Sequence, residues 1–381
     1  MEGGTMDFNL YFKSRQGEMI NLLKEIVSLE SPSGDKKAID ACSSYLIEKF
    51  KKIGTKITCF PQKEMGDLYL VEFPAEDEEE KREQILILTH LDTVWPVGKI
   101  EKMPFYVSGN KIFGPGVLDM KAGLVMTLFS LKTLNELNIL PKKKIAIFIN
   151  SAEETGNEVS HNIIRELAKK STYVLCLEPA LPGGALKIQR KGRLVIRLEA
   201  KGKAAHGGTP EKGINAIEEL IRQLNRVKRL KRGGVTLNIG LVGGGEKANI
   251  VAENAWAILD IRFWKNVQKE KIIRFLKQLE PATPGAKLKF SIESVTPPME
   301  RNRPSSNLLL EVKKIASFLD MTLETGKTGG GSDASIASSM GIATLDGLGP
   351  DGEGIHAENE HLILPSFIQR TALLTEILRQ L

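Results

Sequence analysis

Cysteine, histidine and aromatic residues are scarce in this chain of 381 residues. It has three cysteines and five histidines, and Phe, Trp and Tyr together make up 6% of it. Cys42, Cys59 and Cys176 are odd in number and lack CxxC spacing, which argues against a disulfide framework and indicates a reducing compartment. Asp7 and Lys13 interrupt any apolar core of a signal peptide near the start, so we expect a cytoplasmic protein.

Long apolar runs and clusters of one charge are also missing. No apolar stretch approaches the ~18 residues of a membrane span, so we expect no membrane partner. Lysine and arginine number 53, aspartate and glutamate 47, and the net charge is +6. The basic residues are dispersed among acids without interleaved aromatics, which favours a solvated surface over a nucleic-acid interface.

The pattern of apolar residues predicts an α/β fold with an inserted segment. Short apolar runs at 84–89, 144–150 and 173–177 predict strands buried on both faces. Strands and amphipathic helices alternate, which indicates a mostly parallel sheet flanked by helices. The helices predicted for this layer are residues 8–29, 36–50, 120–137, 157–168, 305–319, 332–340 and 365–381, and 342–346 is a further strand.

A different pattern follows residue 182. Alternating residues at 194–200, 235–242 and 255–263 predict half-solvated strands, with helices at 210–230 and 267–279. The chain exceeds the usual size of a single core. We therefore predict a discontinuous catalytic domain of residues 1–191 and 297–381. Residues 192–296 would form an inserted α+β domain with two helices on an antiparallel sheet.

Acids and histidines stand where the predicted strands end. His90 and Asp92 follow the first apolar run, Glu153 and Glu154 the second, and Glu178 the third. In such folds, ligands bind beyond the carboxyl ends of the strands. Imidazole together with several carboxylates can hold zinc or a similar cation. The sequence therefore predicts a hydrolytic metal centre.

Each member of this set also has an ordinary explanation. Asp119 precedes a predicted helix, where a lone aspartate is most often an N-cap. Glu178 could form a salt bridge, and His356 could be an exposed loop histidine. Their coincidence at one end of a sheet favours the metal centre.

The remaining acids of this set suggest auxiliary roles. Of the adjacent Glu153 and Glu154, one could bind metal while the other serves as general base. Asp92 could accept a hydrogen bond from the second ring nitrogen of His90, as acids beside metal-bound histidines do.

Two glycine-rich segments leave alternatives open. His206, within 202–208, is either an exposed turn histidine or an oxyanion stabiliser. Residues 329–331 lack the Gly-Lys-Ser/Thr ending of a phosphate loop. We interpret them as backbone that approaches a ligand at Gly330, before a helix capped by Ser332 or Asp333.

At these positions the sequence resembles a zinc-dependent family of hydrolases. The family includes glutamate carboxypeptidase, aminoacylase, acetylornithine deacetylase and succinyl-diaminopimelate desuccinylase, and the closest likeness is to the glutamate carboxypeptidase branch. That branch has aspartate where this chain has Leu177, and the segment 187–192 is unusually basic here. The matching segments are residues 89–94, 114–123, 151–156, 177–179, 202–206 and 328–333, with His356.

The resemblance implies two zinc ions per subunit, with cobalt or manganese as alternatives. Asp119 and a water would bridge the two ions. His90 and Glu178 would complete one metal site, and Glu154 and His356 the other.

Further roles follow from the same resemblance. Glu153 would act as general base towards the bridging water. The insert would be a dimerisation domain that carries His206 to the active site of the other subunit of a homodimer. Asn249 and Arg262 would bind the substrate carboxylate, for which the guanidinium fork is suited.

The sequence leaves three candidate functions. The first is a zinc carboxypeptidase that cleaves an amide bond next to a free carboxylate in a small peptide. The second is a deacylase of N-acyl amino acids, of the acetylornithine or succinyl-diaminopimelate type. The third is a silent binding protein, which the presence of all five implied ligands and Glu153 argues against.

Overall fold

A computed structural model describes residues 6–75 and 83–381, which form two compact units. The first unit contains the described residues up to Ile188, together with Arg301–Lys327 and Ser332–Leu381. The second contains Gln189–Glu300 and Thr328–Gly331, so the glycine-rich segment belongs to it and not to the predicted catalytic domain. The charged segment 76–81, which the sequence predicts to be a loop, lies outside the described residues.

A six-stranded sheet of mixed direction forms the centre of the first unit. In spatial order its strands are Lys56–Phe60, Leu68–Phe73, Lys144–Asn150, Gln84–His90, Ser171–Cys176 and Ala343–Leu345. The last four are parallel, whereas the first two are paired antiparallel at one edge. All residues of Gln84–His90 are buried, which explains its continuous apolar run. These two antiparallel strands were not predicted. Lys56–Phe60 is partly exposed and has no apolar run, whereas Leu68–Phe73 contains the short apolar run Leu-Tyr-Leu-Val, a signal that was missed.

The first unit also contains helices. They are Phe8–Ser14, Gln16–Ser28, Lys36–Lys51, Lys99–Lys102, Ala122–Glu136, Glu158–Lys169, Arg303–Ser317, Ala334–Ser339 and Leu364–Gln380. The predicted helix 8–29 is two helices separated by Arg15, whose N–H bonds to the carbonyl of Phe12. Ala122–Glu136 is buried on nearly all sides, so it belongs to the core and has no wide polar face.

The chain also forms two small sheets. One is antiparallel, with the order Gly352–Glu353, His361–Ile363, Lys111–Phe113 and Tyr106–Ser108. It holds the two ends of the loop that contains His356. The other pairs Leu186–Arg190 with Thr325–Thr328. Strands of two to five residues are too short for a period-two pattern to identify them.

The second unit is an antiparallel sheet with two α-helices. Its strands, in spatial order, are Thr236–Gly244, Asn254–Phe263, Gly192–Lys201 and Lys287–Thr296. The helices Ala216–Val227 and Asn266–Lys277 supply apolar side chains to its core. The prediction that Pro210 opens a long helix was wrong, because Pro210–Lys212 is a single 3-10 turn. The α-helix begins later, after Asn215, whose side chain accepts hydrogen bonds from the N–H groups of Ile217 and Glu218.

The sheets and helices together give a mixed α/β fold with parallel and antiparallel strands, as the sequence predicted. Among residues 6–75 and 83–381, no helix has the length and apolar character needed to cross a membrane.

Candidate metal centre

Three neighbouring parallel strands deliver the candidate residues to one edge of the sheet. His90 is the last residue of the central strand. On either side, Lys144–Asn150 leads into Glu153 and Glu154, and Ser171–Cys176 leads into Glu178. Because parallel strands end at the same edge, these side chains come from one rim, as expected for a ligand site in this class of fold.

Asp119 lies between two histidines. Its Oδ1 is 3.3 Å from Nε2 of His90, and its Oδ2 is 3.4 Å from Nε2 of His356. Asp119 is not an N-cap, since it lies in the π turn Val117–Lys121 and the α-helix starts at Ala122. Its carboxylate therefore occupies the position of a bridge, with one oxygen directed to each imidazole.

Each histidine has a glutamate of its own. Oε1 of Glu178 lies 3.3 Å from Nε2 of His90. Oε1 of Glu154 lies 3.1 Å from Nε2 of His356. The structure thus brings all five candidate ligands together in two groups that share Asp119.

Glu153 lies beside the same cluster. Potential ligand atoms of His90, Glu153 and Glu178 are all within 4.8 Å of one another, as are those of His90, Asp119 and Glu154. Glu153 is therefore close enough to act on a water held at the cluster, and also close enough to bind a cation itself.

Asp92 holds the loop that carries the two glutamates. Its fully buried carboxylate accepts hydrogen bonds from the N–H groups of Glu153 at 3.1 Å and Glu154 at 3.2 Å. It also accepts one from the hydroxyl of Ser33 at 2.7 Å. Nδ1 of His90 is 3.5 Å from Oδ1 of Asp92, but its shorter contact is with the main-chain oxygen of Asp92 at 3.0 Å. Asp92 therefore orients His90 and the glutamate pair together.

Asp333, predicted from the sequence as a helix cap, also belongs to this region. Its Oδ2 accepts a 2.7 Å hydrogen bond from Asn150, whose own oxygen accepts from the N–H of Ala152. Asp333 occupies the N-cap position of the next helix, as one predicted alternative had it, but its side chain makes no capping hydrogen bond, and the hydroxyl of Ser332 donates to Asp346 instead. Burial raises the pKa of Asp333 to about 6. The helix that follows is almost completely buried, and its small residues, Ala-Ser-Ile-Ala-Ser-Ser, could have indicated an inward-facing aspartate.

The cluster has the electrostatics of a cation site. Burial raises the pKa of both Glu153 and Glu154, and the neighbouring Glu178 raises that of Glu153 further. Hydrogen bonds that the ring of His356 donates to Asp119 and Glu154 raise its pKa to about 10. Burial lowers the pKa of His90, but its carboxylate partners outweigh that effect and hold it well above the usual value. Imidazole nitrogens among an excess of buried carboxylates fit zinc or a similar divalent ion.

Two buried charged residues, neither of them predicted from the sequence as a site residue, hold the turn that carries Asp119. Lys121 donates from Nζ to the carbonyls of Ile26 at 3.0 Å and Leu29 at 2.9 Å, and its burial lowers its pKa. Glu360 accepts hydrogen bonds from N–H groups of the turn itself. Glu360 follows the candidate ligand His356 by four residues, and this closeness in the sequence could have marked it as part of the site.

The other candidate residues lie in the second unit. His206 is exposed, and its Nδ1 accepts a 3.0 Å hydrogen bond from the N–H of Gly208. In the neutral ring the proton is then on Nε2, which becomes a donor. The N–H of Gly207 donates to the carbonyl of Asn249 at 2.7 Å, so His206 and Asn249 are neighbours.

Arg262 is engaged with groups of the same unit. Its Nε and Nη2 donate to the two carboxylate oxygens of Asp260, at 3.1 and 3.4 Å. Its Nη1 donates to the carbonyl of Gly329 at 2.9 Å, and Nη1 of Arg190 is 3.3 Å from that of Gly330. The paired face of the Arg262 fork is therefore taken by Asp260, and two of its five N–H groups remain for a ligand.

Comparisons with known proteins place the chain in a family. Residues 86–380 match the model of peptidase family M20/M25/M40. Carboxypeptidase G2 of Pseudomonas sp. (strain RS-16) is 29% identical over 95% of this chain and 89% of its own. A probable succinyl-diaminopimelate desuccinylase of Staphylococcus aureus (strain MRSA252) is 25% identical over 79% of this chain and 80% of its own. The crystal structure of aminopeptidase PepT from Bacillus cereus aligns with a TM-score of 0.78 and 23% identity, covering 96% of this chain and 98% of that one. The chain belongs to peptidase family M20/M25/M40 and is a hydrolase.

Proposed function

We propose that the protein is a carboxypeptidase with two zinc ions, which cleaves an amide bond next to a free carboxylate in small peptides. The observation that carries this proposal is the position of Asp119, with one oxygen towards His90 and the other towards His356. Glu178 and Glu154 would complete the two metal sites. The likeness to carboxypeptidase G2 supports the choice of a carboxypeptidase.

The protein groups around the cluster would handle the protons of the reaction. Two divalent ions, when bound, lower the pKa of water and polarise the scissile carbonyl. Glu153 would accept the proton of the attacking water and pass it to the leaving nitrogen. Asp92 fixes the main chain at Glu153 through the 3.1 Å hydrogen bond, so the carboxyl group keeps its place between the two transfers.

Recognition of the substrate carboxylate would fall to the second unit. Arg262 keeps two N–H groups for an anion, and Asn249 and the backbone at Gly330 would add polar contacts. We also propose that this unit forms a homodimer and that His206 acts in the active site of the other subunit. The donor character of its Nε2 suits an oxyanion that forms on the attacked carbonyl.

A deacylase of N-acyl amino acids is the second candidate. The observation in its favour is the likeness to a probable succinyl-diaminopimelate desuccinylase. Both reactions hydrolyse an amide next to a carboxylate, so the metal centre serves either, and the acyl or peptide side of the substrate distinguishes them.

A substrate screen tests the function. We expect hydrolysis of peptides with a free C-terminal carboxylate, and strong loss of turnover when that carboxylate is amidated. N-acetyl and N-succinyl amino acids, assayed in parallel, would identify the deacylase. Chelation should abolish turnover and zinc should restore it, because unassisted water is a poor nucleophile near neutral pH. Full turnover by protein verified to be free of metal would refute the proposal.

Glu153→Gln and its neighbour Glu154→Gln form a matched pair. Glu153→Gln should lower kcat by about 100- to 10,000-fold with its metal content nearly unchanged, because the amide keeps the shape but cannot take a proton. Glu154→Gln should lose metal from one site. Elemental analysis beside steady-state kinetics separates the two effects. If Glu153→Gln loses metal in proportion to activity, Glu153 is a ligand and not the base.

Metal binding should depend on pH in a defined direction. The pKa of His356, raised to about 10, favours a protonated ring at pH 7 in the metal-free protein, and the raised pKa of His90 acts in the same direction. A cation must displace these protons, so affinity should rise with pH above 7 and fall below it, by about tenfold per unit for each proton released. Calorimetric titrations in buffers of different ionisation enthalpy count the protons. Binding without proton release would contradict the assigned imidazole ligands.

His206→Ala tests the proposed action across subunits. Loss of one oxyanion donor typically lowers turnover by ~100- to ~1,000-fold, and we expect that loss with metal and fold retained. Mixing His206→Ala with Glu153→Gln subunits should restore some activity, since one site of a mixed dimer has an intact Glu153 and an intact partner imidazole. No recovery after verified subunit exchange would rule out this role.

A further inference from the structure

We propose that Glu360 is a positioning residue, which sets the place of the Asp119 carboxylate between the two histidines. The inference rests on the proposed function, because it takes Asp119 to be a metal ligand. Glu360 does not face the cluster with a free oxygen. It acts on the main chain of the turn that carries Asp119.

The carboxylate of Glu360 is almost completely buried, at 1% exposure, and accepts four hydrogen bonds. Oε2 accepts from the N–H of Gly116 at 2.9 Å and from the indole of Trp95 at 3.0 Å. Oε1 accepts from the N–H of Leu118 at 2.9 Å and of Asp119 at 3.1 Å. Each oxygen thus receives two donors, which accounts for its lone pairs.

The turn needs these acceptors because its backbone is irregular. Asp119 has φ −113° and ψ 96°, outside the helical region, and Gly116 has φ 70°. Within the turn, the N–H of Val117 donates to the carbonyl of Gly114, whereas those of Gly116, Leu118 and Asp119 are directed to Glu360. Buried N–H groups without acceptors are costly. Glu360 supplies acceptors to three of them at once. The orientation of Asp119 therefore depends on a side chain 241 positions away.

Glu360 also connects the turn to the loop of His356. Its own N–H donates to the carbonyl of Ala357 at 2.9 Å, and its carbonyl accepts from the N–H of Gly114. Glu360 thus contacts both the turn that carries Asp119 and the loop that carries His356. A change at Glu360 should alter the separation of the ligands without removing any of them.

Glutamine cannot replace this carboxylate. Its amide offers one oxygen and one NH₂ group, so either orientation places a donor against two N–H groups. With the NH₂ group in the place of Oε1, the hydrogen bonds from Leu118 and Asp119 are lost. With the NH₂ group in the place of Oε2, the hydrogen bonds from Gly116 and Trp95 are lost. Glu360→Gln is therefore a change of hydrogen bonding at nearly constant shape.

The experiment measures zinc affinity by chelator competition and the visible absorption of the cobalt-substituted protein. Residues that orient metal ligands typically change metal affinity by about 10- to 100-fold when altered. We expect Glu360→Gln to weaken zinc binding on that scale and to change the cobalt spectrum, which reports ligand geometry. Trp95→Phe removes one donor and leaves the three main-chain N–H groups, so its effect should be much smaller.

Glu219→Gln is the control for general loss of stability. Glu219 is fully buried in the second unit and accepts from the N–H groups of Ala282 at 2.9 Å and Thr283 at 2.8 Å. Its replacement should lower the thermal unfolding temperature and leave zinc affinity and the cobalt spectrum unchanged. If Glu219→Gln and Glu360→Gln weaken zinc equally, the effect is general destabilisation and the proposal fails.

Two further variants keep the result decisive. Asp119→Asn should weaken zinc binding strongly; if it does not, the proposed metal site is wrong, independently of Glu360. If Asp119→Asn weakens binding and Glu360→Gln behaves as the wild type, only the positioning role is wrong. Should Glu360→Gln fail to fold, Glu360→Asp keeps the charge on a shorter arm and should weaken zinc binding less. Wild-type affinity and spectrum in that variant would also overturn the role.

Discussion

The structure depends on holding several carboxylates together in a buried place. Like charges in a poorly solvated site disfavour one another's ionised forms, and an isolated buried anion is very unfavourable. Acids of the first unit are nevertheless buried close to the same strand ends, among them Asp92, Asp119, Glu178 and Asp333. Each must be stabilised by specific donors, and the loops of the rim are arranged to provide them.

The kind of donor separates two groups of acids. Asp92 and Glu360 accept hydrogen bonds from main-chain N–H groups. These donors do not lose their protons when a metal ion binds, so the two carboxylates have their hydrogen-bond partners without a cation. Asp119, Glu154 and Glu178 face imidazole nitrogens, whose protons a divalent ion can replace. The first group is suited to positioning, and the second to binding metal.

The sequence predicted the parallel core and the acids at its rim for the same reason. A strand buried on both faces is a continuous apolar run, and its end marks where functional side chains emerge. Residues that act through the main chain leave no such pattern. Asp333 looked like a helix cap, and Glu360 like one more loop acid, because their partners are N–H or amide groups far along the chain. The edge strand Lys56–Phe60 was missed because its half-buried residues alternate irregularly.

Two arginines of the second unit are held in place by an acid between them. Asp260 pairs with Arg193 at 2.8 Å and with Arg262 at 3.1 Å, so the three side chains carry a net charge of +1. Burial raises the pKa of Asp260, but its two arginine partners outweigh this and keep it below the usual value, so the charge is stable near neutral pH. Arg262 is held further by the carbonyl of Gly329, so it would lose little freedom on binding the proposed substrate carboxylate, which would favour affinity. A substrate carboxylate would thus meet an oriented donor pair rather than a flexible side chain.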